Sequence, residues 1–168
     1  MAYAAQALSA RAQSVSELRT KLRRKAAHKE DVDDVLAYLK ESGYADDKRF
    51  ADAFAGWRRE NQGLGKARVV RDLMAKRVSP QVAQAAVEAA YKDTDEVTLI
   101  EGFLARKYRG KNLKTLLAEP KHLASAYRKL RVAGFGSATS IRVLKRYAST
   151  GEDIDENDAE APTETNDA

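Results

Sequence analysis

The chain has no cysteine among its 168 residues, which excludes disulfides, thiolate catalysis and cysteine-ligated zinc. Histidine is nearly as scarce. His28 and His122 stand far apart with no accompanying motif, read as exposed helix-end residues, and give no support to a metal centre or a His-activated nucleophile. No stretch approaches the ~20 apolar residues of a membrane-spanning helix, and MAYAAQALSARAQS has no long apolar run behind a basic segment. The expectation is a cytoplasmic protein that is neither inserted nor exported. The segment 151–168 has no Lys or Arg at all, yet holds eight carboxylates: Glu152, Asp153, Asp155, Glu156, Asp158, Glu160, Glu164 and Asp167.

What is present is charge and helical periodicity. The formal total is +5 from 30 Lys and Arg against 25 Asp and Glu. Removing the tail's eight carboxylates leaves 17 for residues 1–150, a net of +13. A body that basic points to a polyanionic partner, either nucleic acid or an acidic protein surface. The tail, poor in apolar residues and carrying Pro162, is expected to be disordered.

The most informative stretch is GYADDKRFADAFAGWRRENQGLGKARVVRDLMAKR, residues 43–77. Asp46 or Asp47 caps a helix in which Phe50, Ala53, Phe54 and Trp57 recur on one apolar face. The turn Gln62-Gly63-Leu64-Gly65 stops it, and Lys66 opens a second helix with Ala67, Val69, Val70, Leu73 and Met74 on one side. Before this stretch come a short helix around Tyr3–Ala12, facing inward through Ala4, Ala7, Leu8 and Ala12, and a strongly basic helix capped by Ser14 or Ser16. A third helix starts near Lys29, buries Val32, Val35, Leu36 and Leu39, and stops at Gly43. The basic helix has the apolar stripe Val15, Leu18, Leu22 and Ala26. After the stretch, Ser79-Pro80 starts a helix expected to bury Val82, Ala85, Ala86, Ala89 and Ala90. Val97, Ile100, Leu104 and Tyr108 mark the next. Leu113, Leu116 and Leu117 offer a short helical turn between Arg109 and Pro120.

The motif Leu18-x-x-x-Leu22 followed by Val32, Val35 and Leu36 is echoed by Val69-x-x-x-Leu73 with Val82, Ala85 and Ala86, and again by Ala126-x-x-x-Leu130 with Ile141 and Leu144. The expected fold is all-α: tandem repeats of a three-helix motif, about nine helices, in an elongated, curved array with a disordered acidic C-terminal tail. Its boundaries are 1–45, 46–93 and 94–149 for the repeats and 150–168 for the tail.

Two catalytic readings fail on the residues. Asp46 and Asp47 are adjacent, so on a helix they point about 100° apart, and a cap explains them better than a carboxylate pair. Gly63-x-Gly65-Lys66 departs from a phosphate-binding loop, with Glu60 where glycine is needed and Ala67 where Ser or Thr is needed. No enzymatic activity, cofactor or metal is expected.

SVSELRTKLRRKA, VDDVLAYLKESGYADDKRFADAF, GLGKARVVRDL and YRKLRVAGF, in this order over residues 3–148, resemble the RecX family of recombination regulators. The resemblance implies three tandem three-helix repeats and a non-enzymatic role: binding the RecA recombinase, above all its filament on single-stranded DNA, and restraining its ATP hydrolysis and strand exchange. Gly43, Phe50, Phe54, Gly65, Leu73 and Phe135 fall on the family's motif as helix terminators and core residues. The alanine-rich sixth helix, the link from Asn112 to Pro120 and the acidic extension depart from its pattern. The candidate partner-binding or nucleic-acid-binding residues are the basic ones on matching helices: Arg19, Arg23, Arg24, Arg58, Arg59, Arg68, Arg71, Lys76, Arg128, Lys129, Arg142, Lys145 and Arg146. A monomer with weak direct DNA binding and no membrane association is expected. The alternative is a sequence-nonspecific DNA- or RNA-binding helical module with no recombinase partner.

Overall fold

A computed structural model describes residues 2–148, and the acidic segment expected to be disordered lies outside them. Within the described residues two compact units are formed, one from residues 2–62 and 66–94, the other from Gly63–Gly65 and residues 95–148. The described residues are helical, with no strand among them.

The first unit starts with α1 (Ala2–Ala10), α2 (Val15–Lys25) and α3 (Asp31–Glu41). Ser14 starts α2 as half of a capping box: its hydroxyl accepts from the Glu17 N–H while the Glu17 carboxylate takes the Ser14 N–H. Ala4, Ala7, Leu18, Leu22, Val32, Leu36 and Leu39 meet in one core, with Leu8, Val15, Ala26 and Val35 at its margin. Ala12, expected inside, lies beyond the end of α1 and is exposed. Gly43 ends the triplet at φ +71, a backbone conformation that favours glycine.

Helices α4 (Asp47–Trp57), α5 (Lys66–Ala75) and α6 (Pro80–Ala90) complete the unit, and a single π-helical turn, Arg58–Gln62, extends α4. Asp46 caps α4 through the N–H groups of Lys48 and Arg49. Its neighbour Asp47 points elsewhere, accepting from the Val15 N–H at 2.8 Å and so tying α4 to the start of α2.

Two expected faces are corrected here. On α4 the buried residues are Phe50, Ala51 and Ala55, whereas Ala53 is exposed and Trp57 is 52% exposed. On α6 the buried face is Ala83, Ala86 and Val87 rather than Val82, Ala85, Ala89 and Ala90. Alanine at five positions makes several faces of α6 equally apolar, and the large side chains decide. Val87 and Tyr91, one turn apart, are both buried and carry Ala83 inward with them. Val82, Ala85 and Ala89 are left lining a surface depression with Lys48 and Asp52. Met74 and Ala67 of α5 likewise stay outside, with Val69 and Leu73 forming its core contact.

The second unit contains α7 (Glu96–Lys107), α8 (Leu113–Leu117), α9 (Pro120–Val132) and α10 (Ser137–Lys145). Ile100, Leu104, Leu117, Leu123, Leu130, Phe135, Val143 and Leu144 form its core, and Leu64 of the glycine turn packs against it. Phe103 meets Phe135 edge-on at 5.7 Å. The Gly65 N–H donates to the Ala133 carbonyl at 2.8 Å, which fixes the glycine turn in this unit.

Candidate functional site

The thirteen basic candidates divide by what surrounds them. Arg19 and Arg23 both approach Asp33 of α3, at 3.3 and 3.9 Å. All three side chains are well exposed, so the pairs add little stability and leave the guanidinium groups open to an external anion. Arg24 is fully on the surface.

Four cations of the middle triplet are instead only partly exposed and paired within the fold. Asp72 sits between Arg68, 2.9 Å from its Nε, and Arg58, whose Nη2 is 3.1 Å away. The Arg58 contact lacks hydrogen-bond alignment at Asp72 Oδ2 and is held by charge. Arg58 also donates to the Gln62 side chain and lies 4.8 Å over the Phe54 ring. It thereby ties the π-helical turn back onto α4 and α5. Arg59 pairs with Glu60 at 2.6 Å and donates to the Ala90 carbonyl at the end of α6. Lys76 reaches Glu17 at 2.8 Å. Arg71 is exposed on α5.

In the second unit Lys129 donates to the Tyr108 hydroxyl at 3.2 Å and sits 5.0 Å from its ring. Arg146 pairs with Glu101 of α7 at 3.0 Å. Arg142 faces Asp95, whose carboxyl is held below its ordinary range, first by hydrogen bonds from Thr98 and least by the Arg142 charge. Arg128 and Lys145 are exposed. Arg24, Arg71, Arg128 and Lys145 are thus exposed, whereas Arg58, Arg59, Arg68 and Lys76 are partly buried against structural partners.

Sequence reasoning passed over a second set. Lys107, Arg109, Lys111 and Lys114 follow one another along the α7–α8 connection, and all four are exposed. The signal was four cations in eight residues around a glycine, obscured because they lie outside the repeating helices. Among the described residues no group of His, Cys, Asp or Glu is arranged to hold a metal, and no helix is long and apolar enough to cross a membrane.

These features define a class, a helical protein of three-helix modules whose exposed side chains are rich in cations. Residues 1–47 match the first three-helix domain of RecX and residues 46–87 match the second. The chain belongs to the RecX family of regulatory proteins.

Among curated relatives, the regulatory protein RecX of Deinococcus radiodurans is 30% identical over 148 residues, covering 88% of this chain and 68% of the relative. That of Escherichia coli O7:K1 is 33% identical over 126 residues, covering 69% and 74%. With the Chlorobium limicola protein, 39% identical over 84 residues, the match spans only about half of each, 50% and 53%. The crystal structure of RecX from Lactobacillus salivarius superposes with a TM-score of 0.66 at 19% identity, covering 86% of this chain and 92% of that one. A second RecX crystal structure gives 0.64 at 18% identity, covering 83% and 67%. At such low identity these two likenesses speak for the fold alone.

Proposed function

We propose that this chain binds the RecA recombinase, above all its filament on single-stranded DNA, and restrains it. One observation carries the reading: both three-helix domains of the RecX family are matched in order at the start of a chain whose relatives are named regulatory proteins. The basic residues left exposed, Arg19, Arg23 and Arg24 on α2 and Arg128 with the α10 cations, supply charge for an acidic protein face or a phosphate backbone. Residues 94–149 act as a third module in this reading, and the protein works as a cytoplasmic monomer without cofactor or catalysis.

Restraint of a filament and competition for DNA differ in stoichiometry. A regulator that engages a filament groove or caps a growing end affects more subunits than it touches, so it acts well below one copy per recombinase. A DNA competitor needs amounts comparable to the DNA. Titrating the chain into RecA's DNA-dependent ATP hydrolysis at fixed DNA is expected to give substoichiometric inhibition that persists when DNA is raised at constant RecA. Inhibition that disappears with added DNA would overturn the proposal in favour of a nonspecific nucleic-acid-binding module.

A further inference from the structure

The charge is not spread evenly along the chain. Residues 95–148 contain twelve Lys and Arg against four Asp and Glu, a net +8, whereas residues 1–94 stand at +5 over a much longer stretch. Within the second unit the excess has a focus. No carboxylate occurs between Glu101 and Glu119, and five cations fall in that gap: Arg106, Lys107, Arg109, Lys111 and Lys114. Arg106 lies with its guanidinium against Gly63. The other four are all exposed, and among the described residues none of their side chains makes an ion pair or a hydrogen bond.

Their placement follows from what lies between them. Tyr108 and Leu113 pack against the core of the unit, and Leu117 is fully buried. The Lys111 N–H donates to the Tyr108 carbonyl at 3.0 Å and closes a tight turn, whose third residue, Gly110, takes φ +78. Such a turn holds its first and fourth Cα atoms within about 7 Å of each other. Asn112 then caps α8, accepting from the Lys114 and Thr115 N–H groups at 3.0 and 3.3 Å. The four cations are thereby carried on a short, anchored segment, so little further ordering of the backbone is needed when an anion binds. Lys129 donates to the Tyr108 hydroxyl at 3.2 Å and brings one more positive charge beside the turn.

The make-up of this surface selects the kind of anion. A protein-binding face centres on apolar or aromatic side chains and keeps its charge at the rim. Between Lys107 and Thr115 no large apolar side chain is exposed, and the exposed residues are the cations themselves with Gly110, Asn112 and Thr115. A phosphate backbone asks for no apolar centre. It presents a charge about every 3.4 Å along each strand of a duplex. Eight residues span ~25 Å at full extension, and even shortened by the turn they meet several phosphates.

We propose that the Lys107–Lys114 segment is a binding site for the phosphate backbone of nucleic acid, which it contacts without reading bases. Binding is nonspecific and steeply salt-dependent, because each phosphate neutralised releases condensed counterions. The proposal goes beyond the recombinase reading and does not depend on RecA.

The full chain, titrated without RecA into labelled oligothymidylate between about 0.05 and 0.2 M salt, is expected to bind with an affinity that falls as salt rises. Changing Lys107, Arg109, Lys111 and Lys114 together to Gln should weaken binding at the lower salt by at least about tenfold. It should also reduce the slope of log K against log salt by about 3, from four contacts at about 0.7 each. A control with Lys25, Lys29, Lys40 and Lys66 changed to Gln removes the same charge from exposed positions of the first unit, and it should stay within about threefold of the parent. With RecA absent, failure here is separate from failure of the inhibition titration. Equal losses in the two variants would reduce the effect to net charge and overturn the proposal, as would a loop variant that binds like the parent or a parent that binds no oligonucleotide at low salt. Polyglutamate that displaced the labelled strand as well as unlabelled oligothymidylate of equal total charge would also overturn it, in favour of an acidic protein face.

Discussion

Lys76 Nζ lies 2.8 Å from Glu17 Oε1, and the Ser14 hydroxyl that caps the same helix donates to the Lys76 carbonyl at 2.7 Å. Two helices far apart in sequence are thus joined through one lysine, by its side chain and by its backbone. Burial is the largest single influence on Glu17 and pushes its carboxyl upward. The Lys76 hydrogen bond, the Ser14 N–H and the charges of Lys76 and Arg11 together outweigh it and hold the carboxyl below its ordinary value of 4.5. A carboxylate lowered in the folded state contributes stability above its unfolded value, and this is lost as pH falls through the lowered folded value. The melting temperature of Glu17→Gln should therefore lie below that of the parent near neutrality and converge with it under acid. A gap that stayed constant down to strong acid would show that the charge is not what Glu17 contributes.

Gly65 and Gly56 should respond in opposite directions to the same methyl group. A Cβ at Gly65 would lie 2.2 Å from the Gly134 carbonyl oxygen, and backbone cannot step aside as a side chain would. Gly65→Ala is expected to cost about 2–3 kcal/mol in denaturant unfolding. A Cβ at Gly56, inside α4, meets nothing within 4 Å. Gly56→Ala should gain roughly 0.5–1 kcal/mol from helix propensity alone.

Tyr91 should ionise only in strong alkali. It is 2% exposed, and burial, only partly offset by the Arg59 charge, pushes its hydroxyl up to about 12. With the folded value above the unfolded one, its contribution to stability is complete below about pH 10 and is lost as pH rises through about 12. Ultraviolet titration of the phenolate band, parent against Tyr91→Phe, should differ by one tyrosine at the alkaline end and nowhere else.

Arginines of similar appearance in the sequence should separate by assay. Arg58→Ala removes a partner of Asp72, a carboxylate with only about a fifth of its side chain exposed, and is expected to destabilise by about 2 kcal/mol. Arg24→Ala and Arg128→Ala alter exposed side chains and should stay within about 0.5 kcal/mol of the parent in stability while weakening RecA inhibition. Arginine substitutions that changed stability and inhibition in equal measure at all three positions would remove the distinction between the two sets.

Helix starts were legible in the sequence because caps are local. Ser14, one of two serines the pattern offered, Asp46, one of two aspartates, and Ser79 before Pro80 each act within three residues, and each caps its helix. Which way a helix faces was less so wherever apolar residues exceeded what one face needs. Trp57 shares helical spacing with Phe50 and Phe54, but Ala51 and Ala55 are the residues that α4 buries with Phe50, and small side chains let helix axes approach. The basic helices were also visible, whereas the pairing of Arg58 and Arg68 through one aspartate depends on a π-helical turn that no local pattern announces.

Trp57 is the only tryptophan in the chain, and it is half exposed at the end of α4, 6.0 Å from the Arg58 guanidinium. Its indole emission therefore starts from a wet environment in the native protein. Denaturant will move the emission maximum little, so intrinsic fluorescence is a poor thermometer of unfolding here. For the same reason it is a sensitive optical reporter of anything that covers that corner of the surface, readable on unlabelled protein in the presence of a tryptophan-free ligand such as an oligonucleotide.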